Sequence, residues 1–381
     1  MSEHNPLNDL LFGTPAETPI VAPVETPLVW ALLGHRTGDN LQVETLADAL
    51  GWRCERKVLR WRKGRIGWTP FYGRMPPSLA PLTDDARALI GPPWPDLVLS
   101  VGWRSAPVAR WIGRQGDARL VHIGRPRAPL GGFDLVLTTP QYRLPEASNV
   151  IQLDAPMTRL SAEALTSAAE QWRDRLAHLP RPWIAVLIGG DAPPLRLTAG
   201  AAAELGEKVE ALARQRGGSL LVTTGPRTSR AALEAFQSRI GVLMHSYTWG
   251  EGGENPYLGY LALADEIVVT SDSISMVHEA SLTGRPVHIF DLPVTGAWPL
   301  RGLQTIDGLL STCGGAASRT YLEMIRNGWI YAPRAPGAFH ARLLDSGRAV
   351  RLGDAAGAAT EATAATATER AVAAVRDLLA D

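Results

Sequence analysis

The chain has 381 residues, equal numbers of basic (Lys+Arg) and acidic (Asp+Glu) residues at 38 each, 45% hydrophobic and 20% charged residues. That is a globular composition with room for about two domains, and a net charge of zero excludes a protein that coats nucleic acid through overall basicity. Two cysteines, Cys54 and Cys313, exclude a disulfide framework or a cysteine-rich zinc site and fit a reducing, cytoplasmic setting.

Residues 1–26 are rich in Pro, Thr, Glu and Asn and predict a disordered leader without the basic-then-apolar pattern of a signal peptide. No apolar run approaches the roughly 18–20 residues of a membrane-spanning helix, so membrane contact is expected to be peripheral, at the inner face. Order is expected from Pro27, with an apolar strand at Leu28–Leu33 and a turn containing Gly34, His35, Gly38, Asp39 and Asn40. Val43, Leu46 and Leu50 then share one helical face up to Gly51. The same strand, glycine turn and helix recur at Asp96–Val101, Gly102-Trp103-Arg104 and Ala106–Ile112, and further strands are predicted at Leu120–Ile123 and Leu135–Thr138.

A second β/α series starts after Leu179-Pro180-Arg181-Pro182. Its predicted strands are Trp183–Ile188, Leu220–Thr224, Glu266–Thr270 and Pro286–Phe290, with helices at about 198–216, at about 229–239 and up to Thr283. Alternating β/α series predict parallel sheets covered on both faces. The expectation is two doubly wound, Rossmann-like domains facing a central cleft: 27–178 on the acceptor side and 179–352 on the donor side. From Gly353 the tail is low in complexity and then amphipathic through Val372, Val375 and Leu379, which predicts a helix in 353–381 docking on one domain.

Residues 52–74 hold eight Arg or Lys against one acid, interleaved with Trp52, Trp61, Trp68, Phe71 and Tyr72. Basic and aromatic side chains together suit an anionic membrane surface. A solvated loop with core-packed aromatics is the structural alternative. Single-stranded nucleic acid is disfavoured because no nucleic-acid module accompanies the segment.

Ligands of open parallel sheets bind at the carboxyl ends of the strands. Here those turns carry Gly, Ser, Thr, Asp and Arg, but neither G-x-x-x-x-G-K-[ST] nor G-x-G-x-x-G. The richest turn is Thr270-Ser271-Asp272-Ser273-Ile274-Ser275, followed by Glu279 one helical turn beyond Ser275. Serines at a helix N-terminus suit phosphate, and a carboxylate one turn further in suits a ribose diol. Simple helix capping with a solvated Glu279 is the alternative. His278 is expected off that face, as a structural residue.

The serine-rich turn, the glutamate and Gly284-Arg285-Pro286 resemble the nucleotide-sugar motif of GT-B glycosyltransferases, including the transferase that makes lipid II. A closer resemblance is to the mitochondrial fission "elongated mitochondria" family and its bacterial relatives. It is carried by Gly38-Asp39-Asn40, Val186–Gly190, Thr223-Thr224 with Arg227-Thr228, and Asn255-Pro256-Tyr257 running into Leu261–Asp265 and Ile267–Ser273. It spans about residues 28–330.

The resemblance implies a metal-independent GT-B glycosyltransferase without a bound cofactor. Its donor would be a nucleoside-diphosphate sugar and its acceptor a membrane-associated or envelope glycolipid. Gly189, Gly190 and Asp191 would approach the donor diphosphate. Thr224, Arg227 and Thr228 would serve the leaving group, Ser271, Asp272, Ser273 and Ser275 would cradle phosphate, and Glu279 would hold ribose. Gly38, Asn40, Gly102, Trp103, Arg104, Trp61 and Trp68 would face the acceptor or membrane. His35 and Asp39 are the base candidates, an imidazole near neutral pKa suiting proton abstraction; the alternative is a turn residue and a helix cap. His122 and Arg125 are secondary cleft candidates. A nucleotide-sugar epimerase and a non-enzymatic membrane adaptor retaining the fold are the competing functions.

Overall fold

In a computed structural model, the residues described are 26–62, 75–295, 306–310, 314–331, 334–355 and 366–380. The leader to residue 25, the segment 63–74 with Trp68, and the low-complexity stretch 356–365 lie outside them.

The first sheet contains β1 (Val29–Leu33), β2 (Cys54–Val58), β3 (Leu97–Val101), β4 (Arg119–Ile123), β5 (Leu135–Thr138) and β6 (Val150–Gln152), in the order β2-β1-β3-β4-β5-β6. Every pairing in it is parallel. The second contains β7 (Trp183–Gly190), β8 (Ser219–Arg227), β9 (Met244–Tyr247), β10 (Glu266–Thr270), β11 (Val287–Phe290) and β12 (Val350–Arg351), in the order β12-β11-β10-β7-β8-β9. These are also all parallel. Central strands such as β1, β7 and β10 are buried along their whole length, because a parallel sheet covered on both faces needs apolar residues at odd and even positions alike.

Helices α1 (Thr37–Leu50), α2 (Asp84–Ala88) and α3 (Gly102–Ile112) belong to the first domain. α1 ends where Gly51 takes the left-handed conformation at φ 70°. The second series carries α4 (Ala162–Leu176), α5 (Ala199–Arg216), α6 (Arg230–Gln237), α7 (Tyr257–Leu263) and α8 (Ile274–Leu282). Thr198, Ser161 and Ser229 cap three of these by accepting from the backbone N–H three residues on. They are followed by α9 (Gly315–Arg326), α10 (Pro336–Asp345) and α11 (Ala367–Ala380).

The chain crosses between domains more often than a single boundary near residue 180 implies. α4 falls within the range 27–178, yet Trp172 and Leu176 join the second domain's core with Tyr260 and Leu261. Conversely, Leu310, Tyr321, Ile325 and Ile330 fall within 179–352 but pack in the first domain's core. α10 returns to the second core through Phe339 and Leu343. α11 then docks on the first domain, burying Ala371 and Val375 among Val43, Leu46 and Leu99. Packing, not chain position, sets the domains, and the sequence boundaries are corrected accordingly.

In its described half the basic segment forms an edge strand, Cys54–Val58, rather than the loop of the alternative reading, and its basic side chains are paired with acids of the strand and of neighbouring elements. Arg56 pairs with Glu44 and Asp48, Arg60 with Asp85, Arg62 with Asp84, while Arg53 and Lys57 share Glu55. Trp61 bridges to Leu82 and, partly buried, packs against the first core. Among the described residues no helix is long and apolar enough to cross a membrane.

Candidate functional site

Both sheets reverse their strand order at one point, and a reversal leaves a crevice at the strands' carboxyl ends. In the second sheet it lies between β7 and β10, which end at Gly190 and Thr270. Around it the chain is tightly knit. The Asp272 carboxylate accepts from Arg227 Nη2 at 2.9 Å and from Thr270 Oγ1 at 2.7 Å, and the Gly189 N–H donates to Thr270 Oγ1 at 2.8 Å. A Cβ on Gly189 would stand 2.3 Å from Asp272, and one on Gly190, whose φ is +124°, would stand 2.3 Å from the Arg227 backbone. These two glycines are required by the protein's own close contacts. Burial raises the Asp272 pKa, offset in part by its Thr270 and Arg227 partners.

Ser273 is the N-cap residue of α8, yet its hydroxyl caps nothing. Neither it nor Ser275 makes a side-chain hydrogen bond among the described residues, and both are half-buried. Two free hydroxyls and unsatisfied helix N–H groups therefore stand beside Arg227, whose side chain remains 47% exposed despite its pairing. Ser271 differs: buried, it accepts from the Leu292 N–H at 2.9 Å. Thr228 donates to Gly189 O at 3.0 Å and Asp191 pairs with Arg196 and accepts from the Leu197 N–H, so both close loops. Thr224 accepts from the Trp249 N–H at 3.0 Å. With Gly225, Thr228, Ser246 and Trp249 it lines a cavity of about 580 Å³ at the ends of β8 and β9.

Glu279 is not solvated. It is 9% exposed, with Oε1 accepting from the Thr158 hydroxyl at 3.0 Å and Oε2 from Tyr257. Burial is the main influence raising its pKa. Neither partner was assigned a role from the sequence. Tyr257 lies in the Asn255-Pro256-Tyr257 motif, but Thr158 is 121 residues away with no local signal. His278 is buried beside Phe339, and burial lowers its pKa to about 4.

In the first sheet the reversal lies between β1 and β3, and their turns bring together His35, Asp39, Gly102, Trp103 and Arg104. Asn40 fastens the first turn, accepting from the Gly34 N–H at 2.7 Å and donating to Gly34 O at 2.9 Å. Asp39, in the first turn of α1, lies against Gly102, 3.4 Å from where a Cβ would stand. Gly38 is exposed and His35 likewise. Desolvation first, then the charges of Arg104 and Arg36, lower the His35 pKa below 6.5, against a smaller opposing effect of Asp39. His122 leaves the list of cleft residues. It is wholly buried, with Ser100 at 2.9 Å and Phe133 against its ring, and burial lowers its pKa to about 3. No group of acidic, His and Cys residues among the described residues is arranged to hold a metal ion.

Two Rossmann-like parallel-sheet domains with paired crevices and a terminal helix returned to the first domain define a GT-B-like protein. The chain belongs to the Mitochondrial fission ELM1 family, whose model matches residues 37–306. The mitochondrial fission protein ELM1 of Arabidopsis thaliana is 28% identical over 268 residues, covering 63% of this chain and 60% of that protein. The chain thus spans less than two thirds of that relative's length. An uncharacterized protein of Rickettsia prowazekii (strain Madrid E), RP120, is 20% identical over 305 residues, covering 70% of this chain and 83% of its own. Among solved structures, UDP-GlcNAc 2-epimerase from Neisseria meningitidis bound to UDP-GlcNAc aligns at TM-score 0.45 and 14% identity, over 84% of this chain and 99% of that one. Arabidopsis thaliana UGT89C1 complexed with UDP aligns at TM-score 0.46 and 10% identity, over 92% and 99%.

Proposed function

We propose that the protein is a metal-independent glycosyltransferase that takes a nucleoside-diphosphate sugar at its second domain and transfers the sugar to a membrane-associated or envelope glycolipid. One observation carries this reading: α8 begins with two serine hydroxyls that cap nothing, beside a half-exposed arginine, at the strand-order reversal of its sheet. A diphosphate seated there meets helix N–H groups, hydroxyls and the Arg227 charge together.

In the reaction, an acceptor hydroxyl oxygen bonds to the anomeric carbon as that carbon's bond to the phosphate oxygen breaks. The hydroxyl proton passes to a base, for which His35 and Asp39 are the candidates. The departing nucleoside diphosphate gains charge on its phosphate oxygens, which Arg227 and the α8 N-terminus stabilise electrostatically. His35, with its pKa lowered, is neutral at pH 7 and so able to accept a proton. Peripheral membrane contact falls to the segment 63–74, outside the described residues, because the described part of the basic stretch is paired with acids.

Calorimetric titration of the full chain with UDP, GDP and their sugars tests this. Micromolar to millimolar binding that Ser273→Ala/Ser275→Ala weakens is the expected result; a well-folded protein that binds none of them overturns it.

A second reading, a non-enzymatic membrane adaptor, is favoured by the protein's own occupation of Glu279 by Thr158 and Tyr257. An adaptor would keep this network as fold support. Membrane recruitment unchanged in Ser273→Ala/Ser275→Ala, without nucleotide binding in the wild type, would select it.

A further inference from the structure

The donor-side chemistry uses none of the arginines at the carboxyl edge of the first sheet. Arg125 follows β4 through Gly124, whose φ of +86° sets the backbone against Tyr142, with ring atoms 3.4 Å from where a Cβ would stand. Arg125 is only 4% exposed, yet its Nε and Nη1 find no hydrogen-bond acceptor among the described residues. Arg127 is 6% exposed, and its Nε also lacks one.

Aromatic rings hold both guanidiniums in place. Arg125 lies 4.0 Å from the Tyr331 ring centre, and Arg127 lies 4.6 Å from Tyr331 and 4.7 Å from Trp103. The alternation continues outward, with Arg104 5.1 Å from Trp103 and Arg334 5.5 Å from Tyr142. Asp39 is the acid close enough to act on Tyr142. Asp307 is bound by Arg143 and Tyr321. The two guanidiniums of Arg125 and Arg127 are thus close together and largely desolvated. Burial is the first cause lowering the Arg127 pKa and the Arg125 charge adds to it, while Tyr331, by its charge and a side-chain hydrogen bond, works the other way.

Ring faces stabilise a guanidinium but accept no N–H hydrogen bonds in its plane. A buried arginine with in-plane donors unused is a site for a planar fork to meet two oxygens, the geometry that suits phosphate. The segment that reaches this edge also carries exposed apolar side chains. Gly328 presses on the backbone of Ala128 and Pro129, where a Cβ would meet atoms at 2.6–2.9 Å. Next to it Trp329 is 54% exposed, and Met324, Ile306 and Leu309 on the same excursion are exposed as well.

We propose that Arg125 and Arg127 bind a phosphoryl group of the first domain's ligand, one either free or carried on an alkyl chain that lies along Met324 and Trp329. The assignment of that ligand as the acceptor rests on the glycosyltransferase reading; the phosphoryl site itself does not.

The test uses the full chain in an Arg227→Met/Ser273→Ala/Ser275→Ala background, which removes the donor-side charge and hydroxyls. Inorganic pyrophosphate and decyl phosphate are titrated calorimetrically, with Arg125→Met and Arg104→Met added in turn. Arg125→Met is expected to weaken binding at least tenfold, and Arg104→Met severalfold. Tighter binding of decyl phosphate assigns the alkyl-borne source, and tighter binding of pyrophosphate the free anion. Without ligand, Arg125→Met is expected to raise the melting temperature, because a buried charge whose Nε and Nη1 lack acceptors is removed. Binding within twofold of the parent in both arginine variants overturns the proposal, as does no binding of either probe. Failure of UDP to bind the wild-type chain would instead sink the donor-site reading and leave this one standing.

Discussion

The Thr158 hydroxyl donates to Oε1 of Glu279 at 3.0 Å, tying the segment that leaves the first sheet to a helix of the second domain. Because burial raises the Glu279 pKa, its carboxylate works against folding at neutral pH. The contribution is favourable below 4.5 and is lost as pH rises through the raised value. Glu279→Gln is therefore expected to be neutral to stabilising at pH 7, with any gain vanishing below about pH 4.5. Glu279→Ala leaves the Thr158 and Tyr257 hydroxyls without their acceptor and is expected to cost about 1–3 kcal/mol. Urea denaturation of both variants at acidic and neutral pH measures this.

Arg227 and Asp272 form a pair with one buried and one half-exposed member. Arg227→Met should destabilise by about 1–3 kcal/mol, less than a wholly buried pair would, because Asp272 keeps its Thr270 partner. Adding Asp272→Asn removes the stranded charge and should recover part of the loss. A double-mutant cycle reads the coupling, and equal losses in the single and double variants would count against it.

The lowered His35 pKa sets a pH signature. If the imidazole is the base, activity rises with pH along an acid limb centred below 6.5. Arg104→Met removes one of the charges that lower it, so the limb should move toward higher pH. A limb that stays in place, with transfer activity retained, argues for Asp39 as the base.

Three buried histidines carry an acid sensitivity. His122 is held neutral down to about pH 3, and His278 and His340 to about 4, chiefly by burial. An unfolded chain binds these protons from about 6.5 downward, so stability should fall as pH drops from about 6.5 toward about 4. His122→Leu should flatten that slope, and thermal melts across the range would show it.

Val375 sends an apolar side chain from α11 into the core formed by Val43, Leu46 and Leu99. Val375→Ala should cost about 1–3 kcal/mol. Asp377, exposed on the outer face of the same helix, should tolerate alanine within about 0.5 kcal/mol. Chemical denaturation of the two variants compares them directly.

The strands most legible in the sequence were those buried on both faces. Val29–Leu33 and Glu266–Thr270 are short apolar runs ended by turn residues. Cys54–Val58 escaped because an edge strand has a solvent side, and its charges made it read as a basic patch. The serine turn was legible as a helix start, but its division of labour was not. The Ser271 hydroxyl is tied to Leu292, whereas those of Ser273 and Ser275 make no hydrogen bond among the described residues. Nothing local distinguishes them, since the difference is made by Phe290–Leu292 approaching from another strand. The partners of Glu279 and the rings around Arg125 were illegible for the same reason: they are contacts between distant segments.

The return of α11 to the first domain bears on how the molecule comes into being. Synthesis delivers the first sheet early, but Ala371 and Val375, which close one side of its core, are made only after the strands of the second domain. Until then Val43, Leu46 and Leu99 lack their cover, so a nascent chain holds an apolar groove open throughout translation of the second domain.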